Sequence, residues 1–408
     1  MRLLDSGSPS GQAARRLLLE MFHAAVQRVS GRRCVAHFLR AHDERMRQYA
    51  AINVIAIGKA ASSMVRGALD ICDQRVRHAL LITKDGHVDP ELYNDRRVEV
   101  VESAHPVPDT RSLAAGLRLL KWVADLAPGE LPLFLISGGA SSLVEHLRAG
   151  VDLAALTELN RRASTEAWPI ERLNAARRQL SAIKGGALST ELRRPAVALF
   201  ISDVPNDDPA VIGSGLLGPA ARDSSVGGQT RVPQDHVERH VIARLEDAMH
   251  GAAAVASAHG WSVEQATQRF DANVLVIAQR FADELRAGAH RALVWGGESV
   301  VTLPANPGRG GRNQHLALLL ARHLAADNRV CALAAGTDGT DGTSGDAGAL
   351  IDGETWRAVE RAGFDGDAAL EQADSGTVLE ETGALVHTGP TGTNVGDLLL
   401  GLRYDPRP

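Results

Sequence analysis

Short apolar runs of strand length recur along this chain, and each ends in a glycine-rich or acidic turn that leads into a segment with helical periodicity. Strands that alternate with helices pair in parallel through crossover connections, and helices then cover both faces of the sheet. The pattern therefore predicts an α/β fold with a mostly parallel sheet. The predicted strands are rich in Val, Ile, Leu and Phe: Asn53–Ile57, His78–Thr83, Val98–Glu102, Pro132–Ile136, Ala196–Ile201, Ala292–Trp295 and Val330–Ala335.

The length of the chain predicts two domains, because 408 residues exceed the roughly 250–300 residues at which a single core stops growing. The segment Ala220–Pro233 is polar and rich in glycine, as linkers are. We place the boundary inside it, which gives domains of residues 1–228 and 229–408. A first helix is predicted over Ser10–Val29, where apolar residues repeat at helical spacing.

Charge and cysteine usage exclude several classes of protein. The 44 basic and 49 acidic residues give a net charge of −5, which is unlike a nucleic-acid-binding protein. Cys34, Cys72 and Cys331 lie far apart, so neither a disulfide framework nor a cysteine zinc site is predicted, and a cytoplasmic location fits best. No stretch approaches the roughly 18 apolar residues of a membrane span, so no membrane partner is expected. A homo-oligomer remains open.

Two glycine turns follow predicted strands of the first domain. Gly58 and Lys59 combine a flexible backbone with a positive charge where a helix begins, which suits a phosphate. The Walker A pattern is absent, and a lysine without a role is the alternative. Ser137, Gly138 and Gly139 can form a nest of N–H donors for an anion. A nucleophilic Ser137 is the rival interpretation, although the G-x-S-x-G pattern is missing.

Two further groups of polar residues belong to the same domain. Asn174 and Arg177 share a helix that ends at Lys184, beside two glycines, so the three are candidate ligand-binding residues; a solvated basic face is the alternative. Asp203 and Asp208 follow a predicted strand and are candidate ligands of Mg²⁺. Turn capping explains these carboxylates equally well.

The segment Gly213–Gly218 matches the G-x-G-x-x-G pattern of dinucleotide-binding proteins. An acidic loop separates it from the preceding strand, and it opens no clear helix. We therefore interpret the match as a decoy.

The second domain is rich in glycine turns that contain Arg, Asp, Thr and Asn. So much glycine is costly in chain entropy, which favours a binding site for phosphate or another anionic ligand over structural turns alone. The candidate residues in these turns are Glu298, Arg312, Asn313, Thr337, Asp338, Thr391, Thr393 and Asn394.

Taken together, the motifs resemble the glycerate 2-kinase family, whose C-terminal module is called the MOFRL domain; some related sequences are labelled hydroxypyruvate reductases. The motifs that carry the resemblance occur in the family's order over nearly the whole chain: IGKAA, ESAHPVPD, ISGGASS, NAARRQLSAIKGG, ISDVPNDDPAVIGSG, GRGGRNQ, AAGTDGTDG and HTGPTGTNVGDL.

The resemblance implies a Rossmann-like N-terminal domain, a smaller α/β MOFRL-type domain and an active site in the cleft between them. It also implies transfer of the γ-phosphoryl group of ATP, with Mg²⁺, to the C2 hydroxyl of D-glycerate, giving 2-phosphoglycerate and ADP. The family's two proposed catalytic cations fall on Lys59 and Arg312. We assign Asp203 and Asp208 to the metal, and Asp338 to the acceptor hydroxyl as a catalytic residue.

The chain departs from the family pattern at four places, which leaves the identity of the hydroxy acid less secure than the reaction class. A kinase for a related hydroxy acid, an NAD(P)-dependent hydroxypyruvate reductase and a non-catalytic binding protein remain alternatives. The departures are Leu216, Asp271–Asn273, His315 and Gly345-Asp346.

Overall fold

The computed structural model describes residues 9–166, 168, 170–192, 194–219, 235–288 and 290–404. The chain divides into two compact units. The parallel-sheet unit comprises Ser30–Arg244 and Gly392–Asn394, and the mixed-sheet unit comprises Met1–Val29, Leu245–Thr391 and Val395–Pro408.

The helices of the described residues are α1 (Pro9–Arg28), α2 (Gly31–Ala41), α3 (Asp43–Met46), α4 (Ala61–Cys72), α5 (Thr110–Ala124), α6 (Ala140–Leu143), α7 (Leu153–Thr165), α8 (Ile170–Leu180), α9 (Ala187–Glu191), α10 (Leu245–Ala258), α11 (Val274–Arg286), α12 (Arg312–His323), α13 (Thr355–Arg361), α14 (Gly366–Glu371) and α15 (Ser375–Glu381). The strands are β1 (Ala51–Ile57), β2 (Val76–Lys84), β3 (Val98–Ser103), β4 (Glu130–Ile136), β5 (Ala196–Ile201), β6 (Val237–Ala243), β7 (Ser262–Gln265), β8 (Arg291–Gly297), β9 (Val330–Gly336), β10 (Gly348–Asp352), β11 (Leu385–Val386) and β12 (Asp397–Arg403).

The sheet of the parallel-sheet unit has the strand order β3-β2-β1-β4-β5-β6, and every pairing in it is parallel. This is the order of the Rossmann fold, so the predicted fold class is confirmed. The direction of winding reverses between β1 and β4, and in such sheets ligands bind outside the carboxyl ends of the strands at this switch point. Ile57 pairs with Ile136, so the turns that follow β1 and β4 begin side by side.

Burial explains why the central strands form where the apolar runs predict. Every residue of β4 and β5 is buried, because helices cover both faces of a parallel sheet. Phe134 and Phe200 are among the largest fully buried side chains, and each contributes about 1.5–3 kcal/mol by leaving water. The carboxyl ends of these strands are therefore rigid supports for the turns that follow them.

The mixed-sheet unit has the strand order β11-β10-β9-β12-β8-β7, in which only the β7–β8 pairing is parallel. β12 lies in the middle and pairs antiparallel with both β8 and β9. Leu316, Leu319 and Leu320 of α12 are fully buried in the core of this unit. The packing of α12 fixes the position of its first residue, Arg312.

All seven predicted strands are confirmed, each within one or two residues of its predicted ends. The compact units differ from the predicted domains at α1, at β6 and at Gly392–Asn394, a segment of the predicted second domain that belongs to the parallel-sheet unit. Helix α1, at the N-terminus of the chain, belongs to the mixed-sheet unit, where a Cβ on Gly251 of α10 would lie only 3.0 Å from the Cα of Ala25. Strand β6 was predicted to belong to the second domain, but it forms the edge strand of the parallel sheet, next to β5.

The predicted linker and the boundary between residues 228 and 229 lie outside the described residues. Among the helices that the structure describes, none combines the length and the apolar character that crossing a bilayer requires.

Candidate active site

The turns after β1 and β4 are hydrogen-bonded to each other at the switch point of the parallel sheet. The amide of Lys59 donates to the carbonyl of Gly138 (2.9 Å), and the amide of Ala60 donates to Oγ of Ser137 (3.0 Å). Gly58 has φ +133°, and a Cβ there would lie 2.2 Å from Oγ of Ser137. Only glycine allows this approach. The buried Ser137 hydroxyl therefore holds the Lys59 turn in place.

The side chain of Lys59 packs beside the second glycine turn. Gly139 has φ +88°, and a Cβ there would lie 3.2 Å from Cγ of Lys59 and 3.1 Å from Cδ2 of His105. Both neighbouring side chains are half-buried. Sequence reasoning did not single out His105, although the motif Glu102–Asp109 contains it. The structure thus places a lysine and an imidazole at the glycine turn.

Asp203 and Asn394 converge on Gly138. Nδ2 of Asn394 donates to Oδ2 of Asp203 (3.0 Å), and a Cβ on Gly138 would lie 1.9 Å from that oxygen and 2.0 Å from that nitrogen. The segment that carries Asn394 is anchored by a hydrogen bond from the amide of Gly31 to the carbonyl of Gly392 (3.0 Å). The parallel-sheet unit therefore gathers Lys59, both glycines and Asp203 with Asn394, which the sequence analysis had placed in the second domain.

The two predicted metal ligands differ in their surroundings. Asp203 is half-buried at the glycine turn, whereas Asp208 is exposed and its Oδ1 accepts the amide of Ala210 (2.8 Å), so Asp208 caps a turn. Among the described residues, no group of three or more His, Cys, Asp and Glu side chains is arranged to hold a metal ion. Mg²⁺ that is held mainly by nucleotide phosphates needs only one or two carboxylates, and Asp203 fits that requirement.

The predicted ligand-binding face of α8 is turned towards protein groups instead. Asn174 accepts the hydroxyl of Ser214 at Oδ1 (3.1 Å). The guanidinium of Arg177 donates twice to Oδ1 of Asn160 (3.0 and 2.7 Å), and burial lowers the pKa of Arg177. Both side chains therefore contact protein partners, and their role in ligand binding stays a prediction.

Lys184 was also predicted to bind a ligand, and its ammonium is buried. It forms an ion pair with Glu145 and donates to the carbonyl of Ser141 (2.7 Å). The sequence suggested a ligand role because two glycines follow Lys184. The structure explains those glycines differently, since the amides of Gly185 and Gly186 bond to the 213–218 segment.

The G-x-G-x-x-G match forms a turn rather than a nucleotide loop. The carbonyls of Ser214 and Gly215 accept the amides of Gly185 (3.0 Å) and Gly186 (2.7 Å). Leu216, the position at which the family has proline, is fully buried in the hydrophobic core. The first strand-to-helix turn of the sheet is instead the Lys59 turn, so the geometry gives no dinucleotide fingerprint.

In the mixed-sheet unit, Arg312 begins α12 and is held by two carboxylates. Its Nε and Nη2 donate to the two oxygens of Asp397 (2.6 and 3.2 Å), and Nη1 donates to Glu298 (2.5 Å). Burial alone would lower the pKa of Arg312, but the Asp397 carboxylate outweighs it and holds that pKa above its usual value. Asp397 is buried, whereas Glu298 is exposed. Sequence reasoning missed Asp397.

Asp341 caps the same helix from a neighbouring loop. Its two oxygens accept the amides of Asn313 (3.0 Å) and Gln314 (2.8 Å), which otherwise have no partner in the first turn of a helix. A Cβ on Gly311 would lie 2.3 Å from its carboxyl carbon. Burial raises the pKa of Asp341 to about 7, although the two amides act in the opposite direction.

Asp338 lies beside the Arg312–Asp397 pair. It is buried after β9, and its Oδ1 accepts the amide of Thr340 (3.0 Å). A Cβ on Gly336 would lie 3.2 Å from that oxygen and 3.4 Å from Oδ1 of Asp397. The loop therefore brings the candidate base next to the candidate cation.

The predicted threonines connect the glycine-rich segments. The hydroxyl of Thr337 donates to the carbonyl of Gly396 (2.7 Å) and accepts the amide of Val395 (3.0 Å). The hydroxyl of Thr391 donates to the carbonyl of Thr337 (2.5 Å). Thr393 is buried. Thr337 and Thr391 thus have clear structural roles beside Asp338.

The departure at Gly345-Asp346 has a structural explanation. A Cβ on Gly345 would meet nothing within 4 Å, so a side chain there would point into open space. The buried Asp346 carboxylate pairs with Arg309 (3.2 Å) and His387 (2.6 Å). Asp346 therefore supports two glycine-rich segments and does not replace a carboxylate at position 345.

The other departures are also structural. Nδ1 of His315 lies 3.3 Å from the hydroxyl of Ser375, and burial lowers the pKa of His315. Asn273 caps α11 by accepting the amide of Leu275 (2.9 Å).

Comparisons with known proteins agree with this geometry. Residues 17–246 match the model of a domain of unknown function (DUF4147), and residues 291–397 match the MOFRL family. D-glycerate 2-kinase of Thermotoga maritima is 32% identical, with 86% of this chain and 90% of the relative covered. A relative from Agrobacterium vitis with the provisional name hydroxypyruvate reductase is 35% identical, with 85% of this chain and 97% of the relative covered.

Among solved structures, the crystal structure of glycerate kinase from Thermotoga maritima is similar to this one. The TM-score is 0.81 at 30% sequence identity, with 96% of this chain and 100% of that chain covered. The similarity therefore extends over both units of the described chain.

Proposed function

The chain belongs to the glycerate 2-kinase family that carries a MOFRL domain, and we propose that it transfers the γ-phosphoryl group of ATP to the C2 hydroxyl of D-glycerate. The products are 2-phosphoglycerate and ADP. The predicted enzyme class, a phosphotransferase with an alcohol acceptor, is the class of the family's named kinases.

One observation carries the proposal: Lys59, the two glycines and Asp203 are gathered at the switch point of a parallel sheet. Glycine turns at this position allow phosphate groups to approach the backbone, and a lysine supplies the opposite charge. A site built only for an uncharged ligand would not need this combination.

We assign nucleotide phosphate binding to the parallel-sheet unit. Lys59 binds phosphate oxygens, and the backbone of Gly138 and Gly139 lets them come close. Asp203 is the carboxylate at this turn that would hold Mg²⁺, and the ion would supply positive charge that offsets the charge of the phosphates. Asn394 orients Asp203 through its amide hydrogen bond.

We assign charge stabilisation and the acceptor to the mixed-sheet unit. Phosphoryl transfer passes through a loose transition state, so positioned cations contribute most of the catalysis. Asp397 holds Arg312 by its Nε edge, and the exposed Glu298 can exchange with an anionic ligand. Asp338 accepts the proton of the C2 hydroxyl while the oxygen of that hydroxyl bonds to phosphorus and ADP leaves.

A hydroxypyruvate reductase is the second candidate, because the relative from Agrobacterium vitis has that name. The turn after β1 contains Gly58 and Lys59 in place of a dinucleotide fingerprint, which favours the kinase. Cys34, Cys72 and Cys331 are free thiols, which fits the proposed cytoplasmic location. Assembly into a homo-oligomer stays a prediction.

The test is a coupled assay of ADP release from Mg·ATP over a panel of small hydroxy acids, run beside NADH and NADPH oxidation with hydroxypyruvate. We expect ADP release with D-glycerate and its loss in EDTA. Lys59→Met should abolish the activity, and Lys121→Met, an exposed lysine of the same unit, is the matched control. Hydroxypyruvate-dependent oxidation of a nicotinamide without ADP release would establish the reductase.

A further inference from the structure

Lys184 and Glu145 form a buried ion pair in the parallel-sheet unit. Their side chains are 1% and 0% exposed, and the Lys184 ammonium also donates to the carbonyl of Ser141 (2.7 Å). Burial lowers the pKa of Lys184, and the Glu145 carboxylate opposes that change. An ammonium and a neutral amine can both donate to the Ser141 carbonyl.

The carboxylate of Glu145 is fully engaged by protein donors. Its Oε1 accepts the hydroxyl of Ser181 (2.5 Å) and the amide of His146 (3.0 Å), while Oε2 faces Lys184. Burying two charges costs several kcal/mol per ion, and apolar pairs of similar volume are often at least as stabilising. Stability alone therefore explains this pair poorly, and its partners suggest another role.

The partner that matters is the carbonyl of Ser141. It belongs to α6, a single turn that follows the two glycines, and helix ends leave carbonyls without partners. The amide of Glu145, four residues later, donates to Ser112 instead (3.0 Å). Lys184 supplies the missing donor, and the Ser141 hydroxyl lies 2.7 Å from that of Ser214.

The opposite side of the same turn meets the candidate phosphate-binding groups. The carbonyl of Gly138 accepts the amide of Lys59 (2.9 Å), and the Asp203 carboxylate packs closely against Gly138, since a Cβ there would lie 1.9 Å from its Oδ2. A displacement of the turn would therefore move the Lys59 backbone and the neighbourhood of Asp203 together.

We propose that Lys184 and Glu145 are positioning residues that hold the 138–142 glycine turn in the geometry that phosphate binding requires. The Lys184 amine fixes the Ser141 carbonyl, and an acceptor oxygen at position 145, supplied by Glu145, holds the amine in place. The inference rests on the proposed kinase function where its effect is read as a rate, and an activity-independent measurement tests it separately.

The experiment compares two variants that differ only in the Lys184 side chain. Glu145→Gln keeps the amine and its bond to Ser141, whereas Glu145→Gln/Lys184→Met removes the donor without leaving an unpaired buried carboxylate. Thermal unfolding, kcat/KM for ATP and amide hydrogen exchange of residues 138–142 are measured on both. The matched control is Glu130→Gln/Arg77→Met, which removes an ion pair at the opposite end of β4.

We expect the double variant to unfold within a few degrees of Glu145→Gln but to lose roughly tenfold to a hundredfold in kcat/KM, because small displacements of positioning groups have effects of this size. The amides of residues 138–142 should exchange faster in the double variant, and those of α12 should not change. The control should keep both wild-type kcat/KM and wild-type exchange of residues 138–142. Equal kcat/KM and equal exchange in the two Glu145 variants would overturn the proposal.

Two further outcomes, the absence of kinase activity and the failure of the double variant to fold, can be distinguished from failure of the positioning role. If the wild-type protein shows no kinase activity, the proposed function fails, and the exchange measurement still decides the positioning role. If the double variant does not fold, Glu145→Gln/Lys184→Gln replaces it, because the shorter amide side chain withdraws the Lys184 amine from Ser141 and keeps a polar partner for position 145. Faster exchange of residues 138–142 than in Glu145→Gln supports Lys184 as the residue that holds the turn, and equal exchange would overturn that assignment.

Discussion

Replacing Asp397 by Asn tests whether this buried carboxylate positions Arg312. The change keeps the volume but removes the negative charge, and it places an amide donor opposite a guanidinium donor. Two hydrogen bonds to Asp397 are affected, at 2.6 and 3.2 Å. Asp397 begins the central strand β12, so the strand itself should remain paired.

The magnitude follows from the burial of the pair. Removing one partner of a buried ion pair costs about 3–5 kcal/mol. Arg312 is 36% exposed and keeps Glu298, so we expect the free energy of unfolding to fall by only about 2–3 kcal/mol. That corresponds to a decrease in Tm of roughly 4–12 °C for a unit of this size. We expect kcat to fall roughly tenfold to a hundredfold, because the guanidinium loses its orientation.

Thermal unfolding and the ADP-release assay measure the two effects. The matched control is Asp352→Asn, which removes the Asp352 partner of Arg15 (2.7 Å) at the end of β10 in the same sheet. The control should lower Tm and leave kcat unchanged. An Asp397→Asn variant with wild-type Tm and wild-type kcat would refute the positioning role. A lower Tm with unchanged kcat would show that Asp397 has a structural role only.

Three further predictions concern the carboxylates and the arginine. Arg312→Lys should lose much of its kcat at unchanged charge, because an ammonium cannot hold two oxygens in the plane of a guanidinium; wild-type kcat and Tm would make Arg312 a structural turn residue. Asp203→Asn should be partly rescued by raised Mg²⁺ and Asp338→Asn should not, which titration of Mg²⁺ against rate decides; rescue of Asp338→Asn alone would reverse the assignment. The Asp341 carboxylate caps the start of α12, next to Arg312, and burial raises its pKa to about 7. Because the ionised form is the better cap, kcat/KM should rise as the pH increases through about 7. The free energy of unfolding should fall between about pH 4 and 7, because the folded state binds this proton more tightly than the unfolded state. Wild-type pH profiles of kcat/KM and of stability in Asp341→Asn would contradict this.

Burial explains some of the predicted strands but not all, since β3 was predicted although it is only partly buried, and the buried, leucine-rich β12 was missed. β4 and β5 are buried along their whole length, so their sequences contain a continuous apolar run. β6 was missed because it is an edge strand whose middle residues are only partly buried and include charged side chains. An edge strand of this kind has neither a continuous apolar run nor a clear alternation.

The residues of the candidate site also differ in whether the sequence alone can reveal them. Lys59 and the glycines of its turn could be recognised because the chemistry and the strand end lie within a few residues of each other. Asp397 could not, because it lies 85 residues from Arg312 and its role depends on the packing of β12. Lys184 was given a ligand role because two glycines follow it, and its ion pair with Glu145 could not be foreseen because Glu145 lies 39 residues away in the sequence.

Proton-coupled phosphorus NMR of the protein incubated with Mg·ATP and D-glycerate tests most directly whether phosphate is transferred to the C2 hydroxyl. Transfer to the C2 hydroxyl predicts a new phosphomonoester signal that is split into a doublet by the single C2 proton, with one ADP formed for each product. A triplet would show transfer to the C3 hydroxyl. No new phosphorus signal, together with hydroxypyruvate-dependent oxidation of NADH or NADPH, would contradict the proposed kinase activity.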